Sequence, residues 1–294
     1  MLEKIQYHYK KYSNLLKILF ENILTSFLQY FLGEDIKKIV KKNREFLKTV
    51  GPFLSKNQFQ ENDYGMDIKI FNNLDKNIKY FPTYSDLLIF VSHFLKKRKI
   101  RYLEIGASVL KNTLQVDHSL DDADIVVYDI NDLAPNFREG FKIIDNENPN
   151  LFFKKTKNFN YYFKGNVLDL EDTKKFDELF PGPFDVVFSD ALHTPEGVFS
   201  EYENIISNKL DSDFILYFDD LDFPGLFSTA KNIYYDLENK YEEIYFTTFK
   251  VYGWVGQFEK MHKNGIISNL NFYDIFKKNK VYLPKLSLIE KKLK

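Results

Sequence analysis

Residues 100–106, IRYLEIG, and residues 123–130, ADIVVYDI, are short apolar runs that each close on an acidic residue and a turn. Neither alternates apolar with polar residues, so each reads as a strand buried on both faces. Three further runs repeat the texture downstream: NYYFKGN (160–166), PFDVVFSDA (183–191) and DFILYFDD (213–220). Between the last two, GVFSEYENIISNKL carries Val198, Tyr202, Ile205, Ile206 and Leu210 at helical spacing. Another helix is predicted over 231–240, and EEIYFTTFKVYGWVGQFEK reads as two strands about a Gly253-Trp254 turn. Strands separated by crossovers imply an α/β fold, a doubly wound, mostly parallel seven-stranded sheet of the Rossmann-like kind.

The chain upstream has a different texture. Leu16, Phe20, Ile23, Phe27 and Phe31 line one face of a helix that Gly33 can close. Ile36, Ile39, Val40, Phe46 and Leu47 mark a second helix, broken at Gly51-Pro52, and residues 52–80 read as linker or surface loops. Thr83-Tyr84-Ser85-Asp86 forms a capping box ahead of LLIFVSHFL, predicting a helix to about Lys97. These features divide the chain into a helical segment, 1–80, acting as lid or oligomerisation element, and a catalytic domain, 81–294. Burial of the apolar stripe requires a homo-oligomer or packing against the catalytic domain.

Composition narrows the chemistry. The chain has no cysteine, which excludes disulfides, thiolate metal sites and thiol catalysis. No apolar run approaches the ~20 residues of a spanning helix, and no secretory signal is evident, so a cytoplasmic protein without a membrane partner is expected. Residues 1–60 hold eleven Lys/Arg against five Asp/Glu within a chain of net charge -1. Lys37, Lys38, Lys41, Lys42, Arg44 and Lys48 are expected to form the solvated face of the second helix.

Ligands of such sheets bind at the carboxyl ends of the strands. There the first strand ends Glu104-Ile105-Gly106-Ala107-Ser108, a small-residue turn open to a ligand. The second ends at Asp129, 25 residues after Glu104, where a carboxylate can accept from ribose hydroxyls. Asp190-Ala191-Leu192-His193 and Asp219-Asp220 bring three carboxylates and an imidazole to neighbouring strand ends. Oxygen donors in this number suit Mg²⁺, Mn²⁺ or Ca²⁺. His8, His93, His118 and His262 lack carboxylate company in the sequence and are assigned no chemistry.

With Gly165-Asn166-Val167-Leu168-Asp169 following the third strand, the chain from about residue 82 to about 260 resembles the class I S-adenosylmethionine-dependent methyltransferases. The Asp-x-x-His pattern followed by an acidic pair is similar to their divalent-metal-dependent O-methyltransferases of sugars and related natural products. The resemblance implies that Glu104, Gly106 and Ser108 flank the methionine part of S-adenosylmethionine. It further implies that Asp129 binds the ribose and that Asn166 and Val167 meet the adenine. Asp190, Asp219 and Asp220 would ligate Mg²⁺ or Mn²⁺, and His193, with Asp190, would act in catalysis as general base. The implied partner is a small hydroxylated, glycosyl or polyhydroxylated, substrate. The sequence departs from the family pattern at Ser108 and Leu110, where glycines are usual, and at Asn166, where Asp is usual.

Two other readings stand beside this one. An RNA cap or ribose 2′-O-methyltransferase would use the basic N-terminal segment on nucleic acid, although Asp219-Asp220 would repel phosphate. A catalytically silent methyltransferase-fold subunit would account for the eroded glycine turn.

Overall fold

The computed structural model describes residues 32–54, 82–96, 99–133, 141–143, 151–253 and 261–290. The apolar stripe from Leu16 to Phe31, most of the expected linker and Trp254 lie outside these residues.

All five predicted parallel strands form: β1 (Arg101–Ile105), β2 (Asp124–Asp129), β5 (Phe159–Lys164), β6 (Phe184–Ser189) and β7 (Leu210–Phe218). They pair parallel in the order β5-β2-β1-β6-β7. The antiparallel pair β8 (Tyr245–Tyr252) and β9 (Met261–Ser268) follows, with the later strand inserted against β7. These seven strands form the expected doubly wound, mostly parallel sheet. Among the described residues the sheet nevertheless has ten strands, because the antiparallel pair β3 (Lys142–Ile143) and β4 (Leu151–Lys155) extends one edge and β10 (Ser287–Ile289) the other. These additions are two to five residues long, too short to stand out as periodic apolar runs.

Alternate residues of the central strands feed two cores, as the two-residue side-chain period requires. Val186, Phe188, Ile215 and Tyr217 pack beneath α1 (Glu34–Leu54), α2 (Tyr84–Ser92) and α3 (Lys111–Ser119). Val187, Leu216 and Phe218 pack on the opposite face beneath α4 (Leu170–Leu179), α5 (Pro195–Glu201) and α6 (Leu226–Leu237). The short α7 (Phe272–Lys278) adds Phe272 and Phe276 to the first core. Among the described residues no helix is long and apolar enough to cross a membrane.

Several boundaries differ from the sequence reading. Helix α1 runs through Gly51-Pro52 to Leu54; the proline forfeits one backbone hydrogen bond, and the helix ends two residues later. Helix α2 stops at Ser92 rather than near Lys97, and α6 begins five residues before the expected start. Leu210, expected on a helix, opens β7, and the second strand of the β8/β9 pair starts at Met261, beyond the predicted segment. A π-turn covering Tyr202–Ile206, closed by Ser207 N–H on Tyr202 O at 2.7 Å, ends the helix that starts at Pro195.

Arg44 also departs from expectation, being buried rather than solvated. Its Nη2 lies 2.7 Å from Asp86 Oδ2, and Asn43 Nδ2 donates to the same carboxylate at 2.7 Å. Asp86 simultaneously accepts from the Thr83 N–H at 2.8 Å, completing the predicted cap of α2. A buried charge is tolerated when it is paired and hydrogen-bonded this fully. One carboxylate thus starts α2 and docks α1 onto it.

Candidate active site

Strand order reverses between β1 and β6, and the turns that leave these two strands touch. Gly106 has φ +83°, and a Cβ placed on it would lie 2.4 Å from Ala191 Cα and 2.5 Å from Asp190 O. Only hydrogen fits there, so the first turn and the Asp190 turn form one wall. The next positions of the turn, Ser108 and Leu110, carry side chains yet are left-handed, with φ 49° and φ 58°. Side chains in this left-handed region cost roughly 1–2 kcal/mol each. Ser108→Gly keeps the backbone N–H and is expected to raise stability by about 0.5–1 kcal/mol after the unfolded-state entropy of glycine is counted. A lower urea midpoint for this variant would show that the Ser108 side chain contributes more than its strain removes.

The predicted cofactor residues occupy the predicted strand ends, but their hydrogen bonds are largely internal. Asp129 Oδ2 accepts from the N–H groups of Ala107 (2.7 Å) and Ser108 (2.9 Å), and Oδ1 from Asn131 N–H (2.8 Å) and Nδ2 (3.0 Å). These four bonds use the acceptor capacity of a carboxylate. Asp129 therefore shapes the first turn, and a ribose could reach it by displacing Asn131, which is partly exposed. Glu104 points toward α3, where its Oε2 accepts from Tyr102 Oη (3.0 Å), Asn112 Nδ2 (3.0 Å) and Thr113 Oγ1 (2.9 Å). Burial raises its pKa to about 8 against these donors. Asn166 Oδ1 accepts from Leu168 N–H at 3.0 Å, and the Asn166 N–H donates to Asp172 at 2.9 Å; Val167 is buried. Beside them Ile130 and Leu168, one residue past Asp129 and two past Asn166, stay 59% and 46% exposed at neighbouring strand ends. Sequence reading singled out neither, since an apolar side chain following a strand looks like more of the strand.

At the tip of β6, His193 Nε2 lies 3.3 Å from Asp190 Oδ1 and 3.6 Å from Asp220 Oδ2. Thr194 caps α5, its Oγ1 accepting from Gly197 N–H at 3.1 Å. The hydrogen bond to Asp190 raises the pKa of His193 despite partial burial. Burial in turn raises Asp190, with the imidazole opposing it. Asp219 is held well above the ordinary carboxylate range by burial and by the nearby Asp190 and Asp220.

Two participants escaped the sequence reading. His262, assigned no chemistry there, projects from β9 and its Nδ1 contacts Asp220 Oδ1. The second is Glu201, fully buried at the end of α5, which accepts from Ser189 Oγ at 2.5 Å and from the Leu192 N–H. It spans the turn that carries Asp190, and burial raises its pKa to about 7. Its only sequence signal was a charged residue on the apolar side of a helix.

A set of donors able to hold a metal, with all ligand atoms within 4.8 Å, consists of Asp219, Asp220 and His262. Asp190, expected in that set, is outside this group and engages His193 instead. The mixture of buried carboxylates and imidazole fits a divalent cation.

No family model and no curated protein matches the chain. Among solved structures it is similar to the O-methyltransferase TomG from Streptomyces achromogenes, involved in tomaymycin synthesis and solved in complex with SAM. That likeness has 15% identity over 76% of this chain and 97% of that one, with a TM-score of 0.43. The plantazolicin methyltransferase BpumL, in complex with SAH, is similar at 14% identity over 79% and 99%, with a TM-score of 0.42. A spermidine synthase in complex with the transition-state analogue AdoDATO is similar at 16% identity over 64% and 59%, with a TM-score of 0.37. These are likenesses of fold, and none assigns a substrate to this chain.

Proposed function

We propose that this chain transfers a methyl group from S-adenosylmethionine to a hydroxyl oxygen of a small, glycosyl or polyhydroxylated, substrate. The observation that carries the reading is the contact of His193 with Asp190 and Asp220 at strand ends beside the Gly106 turn. An imidazole flanked by carboxylates is a base whose protonated form is stabilised as it forms. The raised pKa of His193 reports that stabilisation.

The parts of the cofactor would fall where the strand ends are small or apolar. Gly106 lets the first turn close against the Asp190 turn, which would put the methionine part near the His193 side of the site, and the exposed Ile130 and Leu168 suit the faces of an adenine. Asp129 would take the ribose hydroxyls in exchange for the two Asn131 donors. When bound, the cofactor supplies an electrophilic methyl on its sulfonium. The chain's task is then to align the acceptor oxygen and remove its proton, the first being worth on the order of 7 kcal/mol in favourable cases. A divalent cation held at Asp219 and Asp220 would neutralise their charge and acidify a substrate hydroxyl. The acidity of the cleft favours a small hydroxylated acceptor over a polyphosphate one.

S-adenosylhomocysteine is expected to bind the full chain in a calorimetric titration. Ile130→Asp, by placing a charge against the adenine, is expected to weaken binding by about tenfold or more, or ≥ ~1.4 kcal/mol. Binding of NAD in place of S-adenosylhomocysteine would end the methyl-transfer reading, and unchanged affinity in Ile130→Asp would remove the adenine from this position.

A further inference from the structure

We infer that His262 is the nitrogen ligand of a cation site whose carboxylates are Asp219 and Asp220, with Asp190 left outside it as the partner of His193. We further assign to this site a first-row transition ion, of the Mn²⁺ or Zn²⁺ kind, in preference to Mg²⁺ or Ca²⁺. The inference takes the cleft of the proposed methyltransferase as its ground but concerns metal binding, which needs neither cofactor nor acceptor.

The ligands come from two adjacent strands. Asp219 and Asp220 follow the last residue of β7, and β9 runs antiparallel to it with Phe218 opposite Gly265. The Leu221 N–H donates to Lys263 O at 2.7 Å, carrying the pairing past the strand end and holding His262 beside the acidic pair. The backbone of β7 and β9 thus fixes the donors relative to one another before any ion arrives. Their ligand atoms fall within 4.8 Å of one another, as donors to a single ion must.

Charge calls for the same occupant. Asp219 and Asp220 are only 9% and 8% exposed; Asp220 faces the carboxylates of Asp190 and Asp219 and is contacted by the imidazoles of His193 and His262. Two nearly buried, adjacent carboxylates are costly unless a cation or protons compensate them. A cation between Asp219, Asp220 and His262 would supply that compensation, leaving His193 and Asp190 free to handle a proton.

The imidazole decides the ion. Mg²⁺ and Ca²⁺ take oxygen ligands, whereas imidazole nitrogen suits Zn²⁺ and is accepted, beside oxygen, by Mn²⁺.

The test titrates the full chain with MnCl₂, ZnCl₂ and MgCl₂ separately, in the absence of S-adenosylmethionine, by calorimetry. Pulsed electron paramagnetic resonance of the Mn²⁺ form, prepared with ¹⁵N-histidine, reads a directly bound imidazole nitrogen. Expected are tighter binding of Mn²⁺ and Zn²⁺ than of Mg²⁺ and a ¹⁵N coupling in the wild-type protein, which does not depend on any variant folding. His262→Gln is expected to weaken Mn²⁺ by about 10- to 100-fold or more, the range that loss of a supporting group already reaches. Asp190→Asn is expected to leave Mn²⁺ affinity nearly unchanged. Absence of the ¹⁵N coupling, preference for Mg²⁺, or loss of binding in Asp190→Asn would overturn the assignment. Failure to bind any of the three ions would reduce the His262 contact to an imidazole–carboxylate pair, while S-adenosylhomocysteine binding would still stand as an independent measure of the methyl-transfer reading.

Discussion

Gly106→Ala is expected to lower stability by about 3–5 kcal/mol and to abolish S-adenosylhomocysteine binding. Two costs combine at this residue. Its φ of +83° is one that side chains rarely adopt, and the new methyl would meet the backbone of Ala191 and Asp190 at 2.4–2.7 Å. Backbone cannot rotate aside as the end of a long side chain can. Relief requires the first turn and the Asp190 turn to move apart, and both carry residues of the cleft. Gly182→Ala is the matched control: φ is +95° there, but the nearest atom to a new Cβ is Nη1 of the Arg101 side chain, at 3.0 Å. That variant should show the conformational cost alone, roughly 1–2 kcal/mol. Urea unfolding of the two proteins separates the terms, and equal losses would mean that contact between the turns contributes nothing.

Glu104→Gln is expected to reduce a pH dependence that makes the wild-type protein less stable in mild alkali than in mild acid. Burial moves Glu104 from an ordinary value of 4.5 to about 8, and Glu201 from the same value to about 7. Between those limits the folded chain holds protons that the unfolded chain has released. Stability from these groups is therefore complete below about pH 4.5 and is lost as pH rises through 7 and 8. For Glu104 the loss by pH 8 is on the order of 4 kcal/mol, at 1.36 kcal/mol per unit. Glutamine can still accept from Tyr102, Asn112 and Thr113 but has no proton to lose. The variant should match the wild type near pH 5 and exceed it at pH 8, in denaturant titrations at both values. A wild-type stability that stays level from pH 5 to 8 would show that Glu104 and Glu201 fold as compensated anions.

The strands and their polar ends were legible because the information is local. A run such as PFDVVFSDA fits only a strand covered on both faces, and its closing acid and small residues fit only a turn. The capping of α2 was legible for the same reason, its donors and acceptor lying within four residues. By itself, then, the sequence determined the parallel core and the placing of Glu104, Asp129, Asp190, His193, Asp219 and Asp220 at strand ends. Which of these side chains meet was decided by tertiary structure. Insertion of β9 between β7 and β8 sets His262 against Asp220 across 42 residues of chain. The docking of α1 buries Arg44 on Asp86, and the packing of α5 aims Glu201 at Ser189. Asp129 turned inward because the first-turn N–H groups lie within its reach once β1 and β2 pair. Apolar periodicity specifies that a residue is covered, whereas the partner that covers it depends on strand order and helix docking, to which residues far apart in the chain contribute together.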